Sequence, residues 1–113
     1  MYKLTFGSKM GALLTSLKRK VDEGTANVDE RKLWKQLEKT LRLLAENPKH
    51  PSLASHKIQG LKKAYPYEVW QSYVENHTPG AKRLYWHYMS ENAIEVTAVE
   101  LHPENARDYR NVQ

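Results

Sequence analysis

Cysteine is absent from this chain of 113 residues, which excludes disulfide frameworks, thiol nucleophiles and cysteine-ligated zinc and fits a reducing compartment. Stability must therefore come from packing. No apolar run approaches the roughly 20 residues of a bilayer-crossing helix, and the N-terminal MYKLTFGSKM lacks the apolar core of a secretory signal. The expectation is a soluble cytoplasmic protein with no membrane partner. Glycine and proline are scarce, five of each, and there is no phosphate-cradling glycine loop, nucleophile elbow or paired-carboxylate motif. No cofactor is implied. The histidines His50, His56 and His77 lie in loop-like stretches without the spacing of a metal site, so no metal is expected either.

What the chain does have is enough apolar sequence, 40% of residues, for one core and one domain over residues 1–113. Its formal charge of +5 is unevenly distributed. Residues 31–63 hold nine Lys or Arg against Glu38 and Glu46, whereas residues 64–113 hold four against seven acids. A basic middle fits an anionic partner, nucleic acid or an acidic protein segment, and equally fits a solvated helix face.

Periodicity then assigns the elements. Tyr2 to Phe6 alternates as a short strand ended by Gly7, after which Ser8 is in place to cap a helix. Met10, Leu13, Leu14, Leu17 and Val21 recur at helical spacing up to Gly24. Asn27 or Asp29 caps a second helix, with Leu33, Trp34, Leu37, Leu41 and Leu44 as its stripe, and Pro48 stops it near Asn47. The segment NPKHPSLASHKIQGLKKAYP, residues 47–66, reads as a loop holding at most a short turn. Three strands follow, Tyr67 to Val74, Lys82 to Met89 and Ala93 to Leu101, joined by the turns ENHTPG and SEN. The fold class is α+β, in the order β-α-α-β-β-β, a small antiparallel sheet with a helical hairpin packed on one face.

Alternation on the strand KRLYWHYM puts Leu84, Trp86 and Tyr88 toward a core and Arg83, Tyr85, His87 and Met89 on the opposite, partly open face. A guanidinium offers a planar fork of donors for phosphate, and aromatic neighbours offer faces on which bases stack. Arg83 is thus either part of an RNA-reading surface or one half of a cross-strand pair with Glu68 or Glu95. His102, in ELHPEN, is a general acid–base or an ordinary loop residue.

Several of these motifs together resemble the RelE/ParE superfamily of bacterial type II toxins. They are the YKLTF strand, the helical hairpin, the NPKHPSLASHKIQGL loop, YEVWQSYV, KRLYWHY and AIEVTAVELHPE, which span nearly the whole chain. The resemblance implies the toxin of a toxin–antitoxin pair. In the RNA-cleaving branch it implies a ribosome-dependent mRNA endoribonuclease, needing no metal, in which a ribose 2′-OH attacks the adjacent phosphate. Arg83 falls on that branch's phosphate-binding arginine. His102 matches the basic or imidazole group at the end of the last strand, and Tyr109 lies about one residue from a C-terminal catalytic tyrosine. Lys57, Lys62 and Lys63 stand as loop cations for RNA, with Tyr85 and His87 beside Arg83. The implied partners are mRNA, the ribosome and a cognate antitoxin whose acidic residues meet the basic span 31–63. One departure is plain: where the branch carries two lysines on the second strand, this chain has Tyr67, Glu68, Val69 and Trp70. The alternative within the superfamily is a ParE-like toxin without nuclease activity, directed at a topoisomerase, or a repurposed binding module.

Overall fold

Asn27 sets the geometry of the helical hairpin. Its side chain accepts from the Glu30 amide at 2.8 Å while the Glu30 carboxylate accepts from the Asn27 amide at 3.1 Å, a reciprocal capping box. This resolves the choice between Asn27 and Asp29, and the second helix, α2, runs Val28–Glu46. Asn47 is extended ahead of Pro48, as the constraint on residues preceding proline requires. The first helix, α1, runs Ser8–Glu23 and ends at Gly24, whose φ of 74° is the left-handed cap that glycine adopts without a Cβ penalty. Ser8 is not its cap: Gly7 occupies the cap position with extended backbone, and Ser8 is the first helical residue. Between the helices, Lys20 Nζ meets Glu30 at 2.6 Å and the Arg31 guanidinium donates to the Ala26 carbonyl, also at 2.6 Å.

The structure is a computed structural model that describes residues 1–58, 65–75 and 82–101. Five strands make one sheet: β1 Lys3–Phe6, β2 His56–Lys57, β3 Trp70–Tyr73, β4 Lys82–Ser90 and β5 Ala93–Leu101, in the order β1-β5-β4-β3-β2. The antiparallel meander of β3, β4 and β5 is as the short turns predicted. The sheet as a whole is mixed, however, because β1 runs parallel to β5, with Lys3 opposite Ala93 and Phe6 opposite Val96. A second correction concerns the loop 47–66, which contains a 3-10 turn at Pro51–Leu53 and the two-residue edge strand β2. A third is that β3 starts at Trp70 rather than Tyr67.

The helices cover one face of this sheet. Met10, Leu17, Leu37 and Leu44 pack with Leu84, Trp86, Ile94 and Val96 in the main core, and complete burial of each such side chain is worth about 1.5–3 kcal/mol relative to exposure. The helix stripes read from the sequence are the stripes buried here. Opposite, a smaller cluster of Val69, Tyr85 and Ala98 is covered by Ile58, Tyr65 and Tyr67. A bulge on β5 makes both clusters consistent: Tyr85 faces Ala98 but Trp86 faces Val96, so Thr97 is an extra residue. Without it Ala98 would follow Ile94 and Val96 toward the helices, and with it Ala98 turns to the second cluster while Val99 joins the first.

Trp86 ties the sheet to the 48–55 segment. Its indole N–H donates to Ser72 Oγ at 2.8 Å, Ser72 and Ser55 are 2.6 Å apart, and Ser55 donates to the Pro48 carbonyl at 2.7 Å. An indole N–H only donates and a carbonyl only accepts, so the chain has one direction, from Trp86 through both serines to Pro48. Trp70 stacks on Trp86 at 5.4 Å, and Tyr88 meets both edge-on. Replacing Ser72 with alanine leaves the buried indole N–H without its acceptor, and the expected loss is about 1–3 kcal/mol in urea unfolding followed by tryptophan fluorescence. A change smaller than about 0.5 kcal/mol would mean that the chain does not hold the segment in place.

Candidate functional site

The face of the sheet away from the helices receives Arg83, Tyr85 and His87 from β4, as alternation predicted. The strand register adds their neighbours. Tyr73 lies opposite Arg83 and Gln71 opposite Tyr85 on β3, His56 lies opposite Gln71 on β2, and Glu95 lies opposite His87 on β5. Arg83 is half-buried, with its guanidinium carbon 3.8 Å from the centre of the Tyr73 ring, and it reaches back to the Lys82 carbonyl at 3.4 Å. A cation on an aromatic face is held without losing all of its donors, since the ring takes one side of the fork's plane and leaves its edge for hydrogen bonding. The residues facing Arg83 in the register are Tyr73 and Glu100, not the two acids expected. Glu68 pairs with Lys57 at 2.9 Å and Glu95 meets His87 at 2.8 Å.

Tyr85 and His87 do not offer an open stacking surface. Tyr85 is fully buried and His87 is 7% exposed, because Tyr65 and Tyr67 fold over this part of the sheet. The Tyr67 ring lies flat on His87, 3.7 Å between centres with planes 11° apart. Both imidazole nitrogens of His87 face acceptors, Nε2 the Glu95 carboxylate and Nδ1 the Tyr88 carbonyl at 3.2 Å. Such a ring is a packed, hydrogen-bonded element of the second core, and a base cannot stack where Tyr67 already sits.

Lys57 also departs from expectation. Its place on β2 opposite Trp70 turns it to the helix side of the sheet, where it lies 5.5 Å over the Trp70 ring and pairs with Glu68. The residue that β2 presents to the Arg83 face is its neighbour, His56. Nδ1 of His56 lies 3.0 Å from the Ala54 carbonyl, an acceptor only, so Nδ1 carries the proton and Nε2 keeps a lone pair that accepts from the Gln71 amide. Ala54 is held at φ 46°, a left-handed conformation that costs a non-glycine residue about 1–2 kcal/mol, and this turn aims its carbonyl at His56. Gln71 is 2% exposed and its Oε1 has no hydrogen-bond partner among the described residues. An unsatisfied buried carbonyl is a cost that packing alone does not explain.

Lys62, Lys63, His102 and Tyr109 lie outside the described residues. Of the remaining candidates, the structure keeps Arg83 on the open face, buries Tyr85 and His87, and moves Lys57 to the other side. His56, read from the sequence only as a loop histidine without metal-site spacing, escaped as a site residue because a two-residue strand carries no period; its pairing with Gln71 exists only once β2 is laid beside β3. Among the described residues no helix is long and apolar enough to cross a membrane. In comparison with known proteins, the chain matches no family model, no curated protein sequence and no solved structure.

The packing on this face has a measurable consequence. Burial, with the charge of Glu95 and then Tyr65 adding to it, raises the Tyr67 phenol above its ordinary value. Because the folded state resists ionisation of this phenol, its contribution to stability is intact below the ordinary phenol value near 10 and is lost as pH climbs through the raised folded value. Tyr88 is raised by burial as well, so absorbance titration of the phenolates should show late-ionising tyrosines, one of which disappears in Tyr67→Phe and titrates earlier in Glu95→Gln while the other stays. Identical curves for wild type and Tyr67→Phe would contradict the placement of this ring.

Proposed function

We propose that this chain is a toxin of the RelE/ParE type with a RelE-like fold, and that it cleaves mRNA on the ribosome with Arg83 as the phosphate clamp. The observation that supports this best is the half-buried guanidinium held on Tyr73, on the sheet face that the helices leave uncovered. Support for the chemistry comes from His56. Strand spacing of about 4.8 Å and a rise of about 3.3 Å per residue put the Cα atoms of His56 and Arg83 roughly 12 Å apart, two strands across and two residues along. Both residues stand on the same sheet face, and that separation spans neighbouring nucleotides.

In this reaction the Gln71 amide gives up its hydrogen bond to His56 Nε2, which takes the proton of a ribose 2′-OH; the 2′-oxygen bonds to the adjacent phosphorus, and the bond from phosphorus to the 5′-oxygen breaks. Arg83 neutralises the charge that grows on the phosphoryl oxygens. The leaving oxygen takes its proton from the C-terminal segment, where His102 and Tyr109 are the candidates. The cognate antitoxin, with acidic residues, covers the basic span 31–63, and the cytoplasm is the site of action.

A second reading is favoured by Lys57, Tyr85 and His87. With Lys57 turned to the opposite face and both rings buried, the RNA-holding set is thin, which suits a ParE-like toxin or a repurposed binding module that grips a protein such as a topoisomerase. Induced expression followed by cleavage assays on programmed ribosomes separates the two. In the nuclease reading, Arg83→Ala lowers cleavage by about 10²–10³-fold and His56→Ala by about 10²–10⁴-fold, while Lys57→Ala changes it little. Growth arrest with intact mRNA supports the binding toxin, and loss of neither growth nor mRNA removes both toxin readings.

A further inference from the structure

A polar cleft of about 250 Å³ opens between α2, the 3-10 turn at Pro51–Leu53 and the end of β3. Among the described residues its wall carries one cation, Lys39, and one anion, Glu75. Neither belongs to an ion pair among the described residues. Opposite charges that border the same cavity without meeting can each take a counter-charge from a ligand seated between them. Between them the cleft offers hydrogen-bonding groups from Gln36, Thr40 and Ser52. Thr40 is 4% exposed and its hydroxyl donates to the Gln36 carbonyl at 2.8 Å, which leaves its oxygen lone pairs as acceptors. Leu43 and Leu53 supply an apolar patch.

The volume falls just below the range of about 300–1,000 Å³ usual for small-molecule pockets, which suits a ligand of a few heavy atoms rather than a nucleotide. The required chemistry is an ammonium for Glu75, a carboxylate for Lys39 and a short aliphatic group for the leucines. We infer that this cleft binds a small zwitterion of the amino-acid class, ammonium toward Glu75 and carboxylate toward Lys39. The site is separate from the nuclease reading and does not depend on it. The two touch at one residue: Tyr73 borders the cleft and also carries the Arg83 guanidinium on its ring, so occupancy of the cleft is felt at Arg83.

The test is an NMR titration of the ¹⁵N-labelled full chain with L-leucine and with glycine. L-leucinamide, which keeps only the ammonium, and N-acetyl-L-leucine, which keeps only the carboxylate, serve as comparisons. Expected are saturable shifts of the Lys39, Ser52 and Glu75 amides at millimolar zwitterion, with the Arg83 resonances following, and binding about tenfold weaker or worse for each analogue, a loss of about 1.4 kcal/mol per lost charge. Lys39→Glu and Glu75→Lys each abolish saturation, and the charge-exchanged double variant regains it. The inference is overturned if neither zwitterion gives a saturable shift, if an analogue binds as well as leucine, or if Lys39→Glu binds like wild type. Lys39 is exposed, so its variant folds even if Glu75→Lys does not, and with the analogue series it decides the question alone. Cleavage activity has no part in this readout, so failure here leaves the nuclease reading untouched.

Discussion

Strand β4 is buried on both faces, and most of the molecule follows from that constraint. Leu84 and Trp86 face the helices at 0% exposure, while Tyr85, between them in sequence, faces the second cluster at 0%. A strand covered on both sides must find apolar or fully hydrogen-bonded partners for every residue. The polar members meet this through fixed contacts: the Trp86 indole through the two serines to Pro48, and His87 through Glu95, the Tyr88 carbonyl and the flat face of Tyr67. Arg83 stands near the start of the strand, where coverage thins and a cation can stay half in water.

The two-sided burial also explains the bulge at Thr97. A strand paired beside β4 has to feed two cores at once, and strict alternation along AIEVTAVEL cannot do so. Ile94 and Val96 serve the helix side; the extra residue changes the phase so that Ala98 fills the space beside Tyr85 and Val99 returns to the helix side. Bulges re-aim side chains where alternation alone would place them wrongly. The chemistry of the open face depends on this phase, because it sets Glu95 beside His87 and leaves the Arg83 end of β4 opposite Glu100.

The site combines a tightly determined part with an unsatisfied one. Arg83 on Tyr73 and His56 on Ala54 are held by specific partners, while the Gln71 carbonyl beside them is buried without one among the described residues. Natural proteins retain such costs most often where a ligand or a reaction is served. The proposed toxin chemistry and the inferred zwitterion cleft lie on either side of Tyr73, so the end of β3 is where binding at one place would be felt at the other.

By itself the sequence determined the elements whose signals are local. The C-terminal limits of α1 and α2 follow from Gly24 and Pro48, while the caps at Gly7 and Asn27 were settled by the backbone; the antiparallel pairing of β4 and β5 follows from alternation and the short SEN turn. Alternation also determined that Arg83 points away from Trp86. Only the tertiary structure decided the parallel pairing of β1 with β5, since a four-residue strand does not encode its partner about ninety residues along. Only it decided that His56 rather than Lys57 joins the Arg83 face, because two residues are too few to show a period and their phase is fixed by pairing with β3. Period-two geometry states which face a side chain occupies but not what lies over that face. For that reason Tyr85 and His87, correctly assigned to the side of Arg83, proved to be buried under Tyr65 and Tyr67.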